Sequence, residues 1–202
     1  MDAEEVLRIF RECGAFLNGH FVYTSGKHGQ VYINKDAIYL RPYFTKKLCQ
    51  AIAEQFADDK VEVIIAPAIG GVILSQWTAY HLSEITGREV FGVYAEKAES
   101  GDAFIIKRGY DKVVAGKNIL VVEDVLTTGS SAKKVVETTR VLGGNIVGLG
   151  ALCNRGGVRP EDVANPPKLF ALVNVNLDTW HKAECPLCAN GVPISVEFGR
   201  GV

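Results

Sequence analysis

No stretch of this sequence approaches the ~20 consecutive apolar residues that a helix needs to cross a bilayer. No block of like charge stands out either. The 22 Lys and Arg against 23 Asp and Glu leave a formal net charge of −1, which argues against broad binding to nucleic acid or to anionic lipid. The opening MDAEEVLRIF is acidic where a secretory signal would be basic. We therefore expect a cytoplasmic protein with neither a membrane nor a nucleic acid as partner. Internal repeats and low-complexity segments are missing. So are GxxxxGK[ST] and GxGxxG, which weakens triphosphate- and dinucleotide-binding readings. The five cysteines (Cys13, Cys49, Cys153, Cys185, Cys188) suit reduced thiols better than a disulfide framework.

What is present is ordinary globular composition, 48% hydrophobic and 22% charged over 202 residues, a length that suits one domain. Residues 2–13 read as a helix with Val6, Leu7 and Phe10 on one face. FVYTSGKHGQVYINKD (21–36) alternates, turns at Ser25-Gly26 and resumes as a short strand. Pro42 opens a long helix with Phe44, Leu48, Ala51, Ile52 and Phe56 at helical spacing. VEVIIAP (61–67), EVFGVYA (89–95), NILVVE (118–123), NIVGLGALCN (145–154) and LFALVNV (169–175) read as strands, several apolar enough to be buried on both faces. Helices fill the intervals after 71 and after 130, the second capped by Ser130 or Ser131 and stopped at Gly143-Gly144. The tail from Trp180 reads as irregular. Strands alternating with helices predict an α/β fold with a doubly wound, mostly parallel sheet. In such sheets ligands bind beyond the carboxyl ends of the strands. Three loops sit there: APAIGG, the polar segment 96–116, and EDVLTTGSS.

EDVLTTGSS poses the chemical question. Gly129 permits tight curvature, Thr127, Thr128, Ser130 and Ser131 offer hydroxyls, and a helix start supplies unpaired N–H groups. Together these suit a phosphate monoester. Glu123 and Asp124 would repel phosphate, so they must address another part of the ligand. A ribose 5-phosphate satisfies both requirements, with phosphate in the loop and the diol on the acids. Negative charge beneath the ribose would also favour positive charge developing at the anomeric carbon.

VVEDVLTTGSS resembles the signature of the type I phosphoribosyltransferases, which bind phosphoribosyl pyrophosphate. FVYTSGKHGQVYINKD is similar to the N-terminal segment of the orotate phosphoribosyltransferases in that family. The resemblance implies the type I phosphoribosyltransferase fold as a single domain over 1–202, with a core of about 41–175 and a small hood from about 1–40 and the tail 176–202. It implies transfer of phosphoribosyl from phosphoribosyl pyrophosphate to orotate in pyrimidine biosynthesis, with Mg²⁺ as cofactor and a homodimer as the assembly. Another nucleobase, or a non-catalytic phosphoribosyl pyrophosphate-binding regulator, stands as the alternative.

Carried over by position, Glu123 and Asp124 hold the ribose hydroxyls, and Val125, Leu126, Thr127, Thr128, Gly129, Ser130 and Ser131 form the phosphate loop. Ala68, Ile69, Gly70 and Gly71 line the Mg²⁺-pyrophosphate, for which no protein metal ligand is expected. Thr24, Ser25, Gly26 and Thr127 meet the base. Arg155 pairs with the orotate carboxylate, a role that its planar fork suits. Lys97 matches a catalytic, pyrophosphate-binding lysine on a mobile loop.

The sequence departs from the family in two places. In the 96–116 segment Glu96 stands where an arginine is expected, no histidine follows, and Glu99 and Asp102 add negative charge. Lys107 and Arg108, expected on a short strand, are the candidate replacement cations. In the tail, Cys185-Pro-Leu-Cys188 has half of a zinc-knuckle spacing. His181 and Cys153 are the conceivable further ligands. A buried or free thiol pair is the alternative, and it is the one favoured for want of a second CxxC. His28 is expected near the base pocket, while His20 and His81 are expected to be structural or surface groups.

Overall fold

The computed structural model describes residues 1–23, 25–99, 101 and 103–199. In chain order the elements are α1 (Ala3–Glu12), β1 (Phe16–Val22), β2 (His28–Ile33), α2 (Asp36–Tyr39), α3 (Pro42–Gln55) and β3 (Val63–Pro67). There follow α4 (Gly71–Thr86), β4 (Phe91–Lys97), β5 (Phe104–Ile105), α5 (Asp111–Val114), β6 (Asn118–Leu126) and α6 (Ser130–Val141). The chain ends with β7 (Asn145–Asn154), β8 (Leu169–Asn174), β9 (Thr179–Trp180) and α7 (Pro186–Ala189).

The large sheet runs β5-β4-β3-β6-β7-β8. All its neighbours pair in parallel except β5, which runs antiparallel to β4. From β3 the chain winds through α4 outward to β4, and from β6 it winds through α6 the other way to β7. β3 and β6 are therefore the switch point of the sheet, where the loops on either side part and leave a crevice. A second, three-stranded sheet runs β1-β2-β9, with both pairings antiparallel.

Strand alternation divides the core into two layers. Ile64, Ala66, Leu120 and Val122 face one layer with Leu48 and Ile52 of α3 and with Phe56 just after it. Val63, Ile65, Ile119 and Val121 face the other, with Val135 and Val136 of α6. The purely apolar strand runs follow from this, because neither face of β3 or β6 meets water. α1 is capped by the Asp2 carboxylate, which accepts from the Glu5 N–H at 2.8 Å. It buries Val6, Ile9 and Phe10 in the first layer.

Several local expectations shift. The helix after the phosphate loop is capped by neither Ser130 nor Ser131. Its N-cap is Gly129, in left-handed backbone at φ 75°, so both serine hydroxyls stay available to a ligand. The tail is not wholly irregular, since Thr179–Trp180 adds β9 to the edge of the small sheet. Lys107 and Arg108 lie beyond the short strand β5 and not on it.

Candidate active site

β6 runs three residues past the point where sequence reading stops it, so Asp124 is a strand residue as Glu123 is. Alternation then sends the two acids to opposite faces of the sheet. Glu123 continues the row Ile119-Val121 and opens onto the cavity at the start of α6. Asp124 continues the row Leu120-Val122 toward the start of α4. There its Oδ2 sits 3.7 Å from the Lys35 ammonium. Gly70 packs so closely that a Cβ on it would lie 2.4 Å from the same oxygen. Each loop of the switch point thus has its own acid.

Three cavities form a row. One of about 420 Å³ is lined by Glu123, by Val125 through Ser131, and by Lys97. A second, of about 340 Å³, shares Ser25, Thr127 and Thr128 with it and adds Tyr23 and Arg155. A third, of about 640 Å³, shares Lys97 with the first and is lined by Ala68, Ile69, Gly70 and Lys35. The phosphate-loop cavity is central, since it shares lining residues with each of the other two. Of the residues expected in the site, Gly71 opens α4 behind the third chamber. Gly26 forms the turn before β2 with φ 78°. Thr24 lies outside the described residues.

The electrostatics fit a site waiting for charge. Burial pushes the Glu123 carboxyl well above the usual carboxylate range, and the neighbouring Asp124 charge adds to this. Burial also raises Asp124, though Lys35 holds it back. Burial alone would lower Lys35, but the combined pull of Asp124, Asp36, Tyr32 and Glu123 raises it. Arg155 is buried. Its guanidinium lies 4.0 Å over the Tyr23 ring, and its Nη2 has no hydrogen-bond partner. No carboxylate lies within 4.0 Å of it among the described residues. A buried guanidinium nitrogen without a partner, on a residue that lines a cavity, suits an anionic ligand group.

Arg108 is committed elsewhere. It grips Glu96, with Nη2 at 2.7 Å and Nε at 2.8 Å from the same carboxylate oxygen. Lys107 is exposed and lines none of the three cavities. Lys97, at the end of β4, is the loop cation that reaches the site. Sequence reading missed Lys35, which stands in a turn with no motif of its own, and Lys134, one turn into α6 on the phosphate cavity. It also missed Asn176 through Thr179, which wall the Arg155 chamber. No local signal marks any of these.

His28 is placed otherwise than expected. His28 lies buried in β2 and lines none of the three cavities, and His20 is buried too. The two imidazoles meet each other and the thiols of Cys185 and Cys188. Neither His181 nor Cys153 joins them. Cys153 is buried in β7, where burial pushes its thiol up to about 12.

Comparison with known proteins adds to this geometry. The family described as "Phosphoribosyl transferase domain" matches residues 41–186. An orotate phosphoribosyltransferase of Thermoanaerobacter sp. is 36% identical over 194 residues, 96% of each chain. One of Desulforamulus reducens is 37% identical over 199 residues, covering 96% of this chain and 95% of that protein. Among solved structures, Mycobacterium tuberculosis orotate phosphoribosyltransferase in complex with 5-phospho-alpha-D-ribosyl 1-diphosphate superposes with a TM-score of 0.65 at 19% identity, over 87% of this chain and 97% of that one. Adenine phosphoribosyltransferase of Saccharomyces cerevisiae superposes with a TM-score of 0.61 at 20% identity, over 83% and 99%. Fold alone therefore leaves the base open, and the relatives of higher identity carry that assignment. No helix among the described residues is long and apolar enough to cross a membrane.

Proposed function

We infer, from the premise that this chain belongs to the type I phosphoribosyltransferase family, that it transfers phosphoribosyl from phosphoribosyl pyrophosphate to orotate, giving orotidine 5′-monophosphate and pyrophosphate. The relatives at 36–37% identity carry the base assignment, and the structural observation that supports it is the buried, unpartnered Nη2 of Arg155, a residue that lines the chamber joined to the phosphate loop. The orotate carboxylate is the anion that this guanidinium takes, and Tyr23, under its plane, keeps the fork oriented.

In the reaction the C1–O bond of the donor breaks, and its electron pair leaves on pyrophosphate. A ring nitrogen of orotate forms the new C1–N bond and releases its proton to solvent. Bond breaking runs ahead of attack, so positive charge builds on the ribose. Glu123 answers that charge. Its ionised form is costly in the free protein because it is buried, and the cost is offset as the cationic ribosyl develops beside it. An interaction that strengthens on the way to the transition state accelerates chemistry. Thr127 to Ser131 and the start of α6 hold the 5′-phosphate, with Lys134 nearby. Ala68 to Gly70, Lys35 and Lys97 receive the pyrophosphate. The donor set there, the Asp124 carboxylate behind a backbone loop that Gly70 leaves open, contains only hard oxygen and suits Mg²⁺ held mainly by substrate phosphates. When bound, Mg²⁺ neutralises charge on the departing pyrophosphate.

We place the enzyme in the cytoplasm as a homodimer, following the family's use of a loop that closes on the neighbouring site. A spectrophotometric assay with orotate, phosphoribosyl pyrophosphate and Mg²⁺ tests the function. Orotate consumption that depends on both other components is expected. No turnover of orotate alongside turnover of another base would overturn the base assignment.

A further inference from the structure

We propose that His20, His28, Cys185 and Cys188 form a closed four-ligand zinc site that fastens the C-terminal tail to the β1–β2 hairpin.

The four ligand atoms cluster closely enough to surround a single ion. One ligand atom from each residue lies within 4.8 Å of all the others. His20 Nε2 stands 3.6 Å from Cys185 Sγ and 3.7 Å from Cys188 Sγ, and His28 Nδ1 stands 3.5 Å from Cys188 Sγ. Zinc bonds of ~2.3 Å to sulfur and ~2.0–2.1 Å to nitrogen, meeting at tetrahedral angles, put S···N edges at about 3.6 Å. Those three S···N edges match, whereas the N···N edge is short at 2.7 Å, the length of a hydrogen bond between the two imidazoles. A zinc ion between the two imidazoles opens that edge by about 0.6 Å.

A second feature points the same way. His20 turns its other nitrogen, Nδ1, to the Val192 carbonyl at 2.7 Å. That bond fixes Nδ1 as the donor and leaves Nε2 with a lone pair aimed into the cluster. An imidazole whose remote N–H is held by a backbone carbonyl is the usual support of a metal-bound histidine. The ligand set is equally selective, since two thiolates and two imidazoles in tetrahedral array suit Zn²⁺ and leave no open position for catalysis. His20, His28 and Cys185 are nearly free of solvent exposure.

The site joins parts of the chain 160 residues apart. The tail is tied there by the Ser195 N–H donating to the His20 carbonyl at 2.7 Å, and β9 pairs His28 with Trp180. These are few bonds for fixing a short, largely exposed tail. A metal closing so long a loop contributes stability that local hydrogen bonds do not.

Elemental analysis of protein purified without chelator tests the proposal. About one zinc per chain is expected, retained through dialysis against a weak chelator. A strong chelator should remove it and lower Tm by on the order of 10 °C. The double substitution Cys185→Ser with Cys188→Ser should hold no zinc, while His181→Ala should keep it. Should the double variant fold poorly, the reduced wild-type apoprotein decides. Titration with Co²⁺ should give the visible absorption and thiolate charge transfer of a tetrahedral sulfur-ligated ion, displaced by zinc. Less than about a tenth of an equivalent of zinc, with no tetrahedral cobalt spectrum, would overturn the proposal. So would a Cys185–Cys188 disulfide in freshly isolated protein, or undiminished zinc in the double variant.

Discussion

The two halves of the proposed active site are built in opposite ways. The sugar-phosphate half is contiguous: a strand end, a loop and a helix start supply Glu123 through Ser131 in nine successive residues. The base half is assembled from three distant segments, around Tyr23, around Arg155 and around Asp178. A phosphate needs only N–H groups and hydroxyls at one helix end, which a short motif supplies. A flat aromatic acid needs walls on several sides, which only tertiary structure brings together. The halves meet at Gly156, where a Cβ would lie 1.7 Å from the Thr127 carbonyl oxygen.

This division suggests experiments graded by expected effect. Glu123→Gln should lower kcat by ~10²–10³-fold while the orotate KM changes little, because the lost charge acts on the developing cation. The same change should raise Tm at neutral pH. The folded carboxyl titrates above its unfolded value, so the protein loses stability as pH rises through the window between them, and glutamine escapes that loss. The Tm advantage should therefore shrink as pH falls toward ~4, the unfolded glutamate value. An advantage that grows on acidification would contradict the burial argument. Gly156→Ala strikes the joint. It should raise both KM values by roughly tenfold and lower Tm by about 5 °C, the cost of a backbone shift. A rise confined to one substrate would mean that the halves are not coupled there. Arg108→Ala, which breaks an exposed ion pair, should leave Tm nearly unchanged and kcat within about threefold. A larger loss of turnover would return Arg108 to the list of pyrophosphate cations.

The same contrast explains what was legible beforehand. The five parallel strands and four longer helices announce themselves by β-branched runs and helical spacing. β5, β9, α2 and α5, of two to four residues, are too short to carry a period. The strand, loop and helix start around Thr127 to Ser131 were readable, but the placing of Glu123 and Asp124 on opposite faces was not, because β6 was ended three residues early. Alternation carried to Leu126 would have separated them. Arg155 was named from resemblance, whereas Tyr23 beneath it had no signal. Cys185-x-x-Cys188 offered half of a zinc-knuckle spacing, and the thiol pair was the favoured reading of it. Its partners lie in a hairpin far upstream, and His181, nearer in sequence, is not among them.

The most direct measurement is the steady-state kinetics of Arg155→Ala with each substrate varied in turn. If the base half is separate and Arg155 takes the orotate carboxylate, the orotate KM rises by ~10²-fold or more while the phosphoribosyl pyrophosphate KM stays within about twofold. Equal rises in both, or an unchanged orotate KM, would contradict the account.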